Sequence, residues 1–97
     1  MSMFEWDEAK AKVNLEKHGI AFSDAALALL GLAMTVPSSR SLENRFASIC
    51  MSGGRLITVI WTPRMGVIRI VSARTARKNE QVTYHQSVGA GSSGRRQ

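Results

Sequence analysis

The sequence predicts an α+β fold: two N-terminal helices, then a four-stranded antiparallel sheet, then a C-terminal helix. Three observations carry this. Helix start and stop signals crowd into the residues before Leu32 and return only after Ala73. Between them, apolar β-branched runs are separated by Ser52-Gly53-Gly54-Arg55 and Pro63-Arg64-Met65-Gly66, turns short enough for hairpins. Finally, the strand-like run around Val67, Ile68, Ile70 and Val71 gives way at Ser72-Ala73-Arg74 to residues with helical preference, among them Ala76, Lys78, Glu80 and Gln81.

Taken in order, residues 3–6 are short, aromatic and extended. Asp7 is the expected N-cap of a helix over residues 8–18, with Glu8 favourable to its dipole and Glu8 and Lys12 paired at i,i+4. Gly19 reads as its stop. Ser23 is the expected N-cap of a short Ala/Leu helix, and Phe22 and Leu27 have the spacing of a hydrophobic staple. Residues 32–36 form a first strand stopped by Pro37, followed by a polar loop to Asn44. Residues 45–51, 56–62 and 67–73 form the other three, the middle one the most hydrophobic and therefore central. The last helix spans residues 75–86. Residues 1–87 make one domain, and residues 88–97, small, polar and terminally basic, are expected to be a disordered tail.

A chain of 97 residues has room for one core. No apolar run approaches the roughly 20 residues of a membrane span. The N-terminus does not resemble a signal peptide, and the single cysteine, Cys50, forms no internal disulfide; both are consistent with the cytoplasm. Charge is unevenly placed. Residues 1–39 hold three Lys against five acids, and residues 40–97 hold ten Lys or Arg against two, giving −2 and +8. Such a half suits nucleic acid or an acidic protein partner.

Metal-ligand and phosphate-loop motifs are missing, so no metal or other cofactor is expected. RNA cleavage requires none, because the 2′-hydroxyl is a nucleophile held beside its own phosphate. The protein must take its proton, neutralise the phosphorane and protonate the leaving 5′-oxygen. Arginines answer the second need. Arg69, Arg74 and Arg77 fall within nine residues, and Arg64 lies in the turn before the last strand. Arg64 and Arg74 sit at opposite ends of that strand, so one substrate touches both only by lying along the sheet, with Arg69 between. Arg64, Arg74, Arg77 and Glu80 are the catalytic candidates; Arg69, Lys17, His18 and Tyr84 are the RNA-binding candidates. The acid–base pair is sought among Lys17, His18, Glu80 and Tyr84. Each has a plainer reading: Arg69 and Glu80 as ion-paired groups, Tyr84 as core, Lys17 and His18 as cations at a helix C-terminus. Trp6 and Trp61 read as core, Cys50 as buried and inert, His85 as surface.

The stretches Phe4-Glu5-Trp6-Asp7-Glu8-Ala9-Lys10, Asn14 and Lys17-His18-Gly19-Ile20-Ala21-Phe22 resemble the opening of the BrnT toxins. Arg45-Phe46, Gly54-Arg55-Leu56, Thr62-Pro63-Arg64, Arg69-Ile70-Val71-Ser72-Ala73-Arg74, Glu80 and Tyr84 match the same family in order, so the resemblance covers about residues 4–86. It implies a RelE-like ribonuclease fold. It also implies a type II toxin–antitoxin system, with RNA as substrate, a BrnA-like antitoxin as inhibitor, and operator DNA reached only through that antitoxin. The contrasting expectation is a non-catalytic basic module that docks an acidic partner and acts as a transcriptional co-repressor.

Overall fold

A computed structural model describes residues 3–38 and 44–93, with side chains described to residue 88. The element order is β1 (Phe4–Glu5), α1 (Glu8–His18), α2 (Phe22–Leu29), β2 (Ala33–Pro37), β3 (Phe46–Ser52), β4 (Arg55–Arg64), β5 (Val67–Thr75) and α3 (Lys78–Ser93). The α+β class and its three helices are as expected, but the sheet has five strands in the order β1-β5-β4-β3-β2 and is mixed. Strands β2 to β5 form the antiparallel meander. The addition is β1, pairing in parallel with β5 through Phe4↔Ile68 and Glu5↔Arg69. Two residues are too few for alternation to betray a strand; β1 exists because Ile68 N donates to the Met3 carbonyl (3.0 Å) and Phe4 packs on the core. Strand β4 is central, as its hydrophobicity predicted.

Local signals succeed where backbone hydrogen bonding decides. The Asp7 carboxylate accepts from the N–H groups of Ala9 (2.8 Å) and Lys10 (3.2 Å), and Gly19 ends α1 at φ 69°. Gly53 and Gly54 both have positive φ, the geometry of a two-residue turn matched to strand twist. The β4–β5 turn is tighter than predicted, because only Met65 and Gly66 (φ 54° and 81°) make it. Pro63 and Arg64 therefore belong to β4. Arg64 and Val67 close the hairpin, so alternation turns the nitrogen of Pro63 away from β5. The last β3–β4 pair is Phe46↔Trp61, and the missing N–H costs no bond to β3.

Tertiary burial overrides local signals in both remaining helices. Helix α2 begins at Phe22 with Ala21 as its uncapped N-cap, leaving Ser23 inside the helix. Burying Phe22 is worth about 2–3 kcal/mol, more than the roughly 1 kcal/mol of a side-chain cap. Leu27 is exposed, so no staple forms with Phe22. Helix α3 starts at Lys78 because β5 runs on to Thr75 and Ala76 N still bonds to the Leu56 carbonyl (3.0 Å). It continues to Ser93, beyond residue 87 where the domain was expected to end, and Val88 packs against the core. The expected loop after Pro37 and the last four residues fall largely outside the described residues.

The sheet carries a helix layer on each face. Helices α1 and α2 and the link between them cover one face: Ile20 of the link and Phe22, Ala25 and Ala28 of α2 pack on Cys50, Ile57, Val59, Ile70 and Ala73. Cys50 is buried, as expected, and that burial raises its thiol to about 11, which disfavours the thiolate at neutral pH. Trp61 and Trp6 are structural, as expected. Trp61 stacks on Phe46 (4.9 Å between ring centroids) and donates to Ser48 Oγ (2.8 Å), and Trp6 meets Phe22 edge-on. On the other face α3 covers only one end, where Ile49, Leu56, Ala76 and Tyr84 form a second small core. Among the described residues, no element covers the rest of that face.

One buried polar side chain fixes α1 to the sheet. Asn14 Nδ2 donates to the carbonyls of Ala73 (2.9 Å) and Ile20 (3.0 Å), and its Oδ1 accepts from Ala73 N (3.2 Å). The amide thus imitates a strand neighbour for β5 just past the end of β1. Asn14→Ala strands these buried backbone groups, each worth about 1–3 kcal/mol. The melting temperature should fall by roughly 10 °C or more. A thermal scan within 2 °C of the wild type, read to about that precision, would show that the bond is dispensable.

Candidate nucleic-acid interface

The open face is built from cross-strand rows. Register places Ile49, Thr58 and Arg74 in one row and Ala47, Ile60 and Ser72 in the next. Continuing the β3–β4 register, Arg45 stands opposite Thr62, which pairs with Arg69, which pairs with Glu5. Between the last two rows β5 carries an extra residue. Ile60 pairs with Ser72 and Trp61 with Ile70, so Val71 bulges from the ladder. The floor left open by α3 is therefore small and uncharged, and arginines stand at both ends of it.

Three open grooves meet there. The first, about 580 Å³, is lined by Arg64, Arg69, Arg45, Lys10 and Thr62. The second, about 400 Å³, is lined by Arg74, Arg77, Glu80, Arg45, Ala47 and Ile60. The third, about 330 Å³, runs beside α1 past Lys10, Asn14, Lys17 and His18. Val71 lines all three, and Ser72 lines the second and third. Seven of the eight residues singled out from the sequence thus border one branched, cationic surface. The eighth, Tyr84, does not; it is 5% exposed in the core under α3, the plainer of its two readings.

The arginines are held in different ways. Arg69 Nη1 bonds to Glu5 Oε2 (3.1 Å), across to β1. Arg74 makes a bidentate pair with Glu80, Nη1 to Oε1 at 2.8 Å and Nη2 to Oε2 at 2.9 Å. Glu80 accepts two further bonds, from Arg77 N (2.7 Å), where it caps α3, and from the buried Thr58 Oγ1 (2.9 Å). The Arg74 guanidinium, with help from these donors, holds the Glu80 carboxyl down at about 2 despite partial burial. Hydrogen bonding to Glu80 in turn raises Arg74, which stays a cation throughout. Glu80 is an ion-paired group, the plainer of its readings from the sequence. Its partner is Arg74, because the strand runs far enough to bring residue 74 opposite Thr58 under the start of α3. Arg77 and Arg64 are exposed at the two rims.

Two cations of this surface carry no role in the sequence reading: Arg45, just before β3, and Lys10 on α1. The signal for Arg45 was alternation, since Phe46 faces the main core and its neighbour must face the other side. Which side stays open depends on where α3 docks, and no local pattern states that. Among the described residues no three His, Cys, Asp or Glu side chains gather as metal ligands would. No described helix is long and apolar enough to cross a membrane.

Comparison with curated proteins returns no match. A family model does match, over residues 6–80, and describes the ribonuclease toxin BrnT of a type II toxin–antitoxin system. That span runs from Trp6 to Glu80 and takes in every lining residue of the three grooves, while β1 lies just before it. The chain belongs to the BrnT family of ribonuclease toxins of type II toxin–antitoxin systems.

Proposed function

We propose that this chain cleaves RNA on the open sheet face by metal-independent attack of the 2′-hydroxyl on its own phosphate. The observation that carries the reading is the cationic surface meeting at Val71–Ser72. Substrate lies along β5 from Arg64 past Arg69 to Arg74 and Arg77. The 2′-oxygen bonds to phosphorus as the bond to the 5′-oxygen breaks, leaving a 2′,3′-cyclic phosphate. Arg74 and Arg77 face the charge that develops on the non-bridging oxygens. His18 and Lys17, in the groove beside α1, take the 2′ proton and return one to the 5′-oxygen. Glu80, with its carboxylate occupied by four donors, acts through Arg74 as a positioning residue. Tyr84 serves the core beneath. The RelE-like arrangement implied by the resemblance is part of this proposal.

The same surface suits an inhibitor. A BrnA-like antitoxin with acidic side chains would neutralise the arginines and exclude RNA, both acting in the cytoplasm. Operator DNA would be reached only through that antitoxin.

Incubating the purified chain with total RNA, with and without EDTA, tests the mechanism. Cleavage should persist in EDTA, and products should end in 2′,3′-cyclic phosphate or 3′-phosphate. Chelator-sensitive activity, or 5′-phosphate ends, would sink it.

A further inference from the structure

We propose that Arg45 is a substrate-contacting residue, seating the middle phosphate of the RNA over the Val71 bulge and joining the two halves of the cationic track. This rests on the ribonuclease reading of the open face. Arg45 borders both the groove of Arg64 and Arg69 and the groove of Arg74 and Arg77. Arg69 and Arg74 lie five residues apart on β5, about 15 Å along a strand. One is tied outward to Glu5 on β1 and the other to Glu80 on α3. Both border the floor from its ends, and Ala47, Ile60, Val71 and Ser72 between them bring no charge.

The fold also holds the Arg45 backbone in place. Ser38 N donates to the Arg45 carbonyl (2.8 Å), and Thr62 Oγ1 donates to the carbonyl of Asn44 (2.7 Å). These bonds pin the entry to β3 from β2 on one side and β4 on the other. Strand alternation then sends the Arg45 side chain to the open face, in the row of Thr62 and Arg69. The bulge opposite is a device that often re-aims chain beside a reacting site. A cation anchored from two strands and facing a bulge shared by all three grooves is placed for the phosphate at which the arms meet.

The test is equilibrium binding of a non-cleavable 2′-O-methyl RNA of about ten nucleotides, a length within single-strand site sizes, followed across salt concentration. Arg45→Ala should weaken binding about tenfold and lower the salt slope by about 0.7, the loss of one phosphate contact on a single strand. Arg74→Ala should show a similar loss, and Arg55→Ala, on the far β3–β4 turn, none. If Arg45→Ala binds like the wild type while Arg74→Ala is weakened, this proposal is overturned and the ribonuclease face stands. If the wild type does not bind, or no arginine variant changes binding, the reading of the face fails and takes the proposal with it. Should Arg45→Ala lose its native circular dichroism, Arg45→Gln decides, since it keeps the stem and removes the charge. Wild-type affinity and slope in that variant overturn the proposal; a reduced slope supports it.

Discussion

Arg74→Ala is expected to slow RNA cleavage by two to three orders of magnitude. Removing one fixed donor from a developing oxyanion costs about 2.7–4 kcal/mol in the transition state. Arg74 meets the conditions for that effect. Its guanidinium is held by two short bonds to Glu80, so little reorganisation accompanies the reaction. It also borders the groove in which Arg77 stands. Alanine does a second thing: it leaves the Glu80 carboxylate without its main partner. Arg74→Lys separates the two effects, because an ammonium keeps the charge near Glu80 but cannot span both oxygens. That variant should retain most of the stability and still lose at least tenfold in rate. If Arg74→Ala and Arg77→Ala both cleave RNA normally, the arginines are structural and the site assignment is wrong, although family membership is unaffected.

Glu80→Gln should lower stability by about 3 kcal/mol at neutral pH, and the loss should vanish in acid. The carboxyl lies well below its ordinary 4.5, at about 2, chiefly because Arg74 donates to it. A carboxyl depressed by folding stabilises the native state above its unfolded pKa, and that contribution disappears as pH falls through the folded value. A shift from 4.5 to about 2, at about 1.4 kcal/mol per unit, corresponds to about 3 kcal/mol. The carboxylate side chain is 18% exposed, so solvent screening is modest. Arg74 remains charged over this range and adds no titration of its own. The difference in unfolding free energy between wild type and Glu80→Gln should be constant from pH 7 to pH 5, narrowing from about pH 4.5 toward pH 2. A difference that does not change with pH would show that the amide loses hydrogen-bond geometry and not charge. Because Glu80 also caps α3 and binds Thr58, the variant should loosen the contact of that helix with the sheet.

The sequence by itself determined the elements whose causes are local. Asp7 and Gly19 bound α1 because a carboxylate meets bare N–H groups at one end and a left-handed residue is needed at the other. Gly53-Gly54 forces a hairpin, and β4 reads as central because its apolar run is the longest and least interrupted, with Leu56 to Val59 buried. Arg64 in the turn before the last strand, with Arg69 and Arg74 along that strand, already set these three arginines in a line along the sheet. What only the tertiary structure decided involves partners distant in sequence. Strand β1 is two residues long and owes its existence to β5. Helix α2 starts where Phe22 is buried and not where Ser23 would cap it. Glu80 belongs to Arg74 because strand register brings residue 58 beneath both, a relation across 22 residues of chain. Tyr84 is core because α3 docks over Ile49 and Leu56. That docking covers one end of a face, and among the described residues no element covers the other, where Arg45 joins the cationic surface. Alternation assigns a side chain to a face from sequence alone, but which face is covered depends on packing between elements that are far apart in the chain.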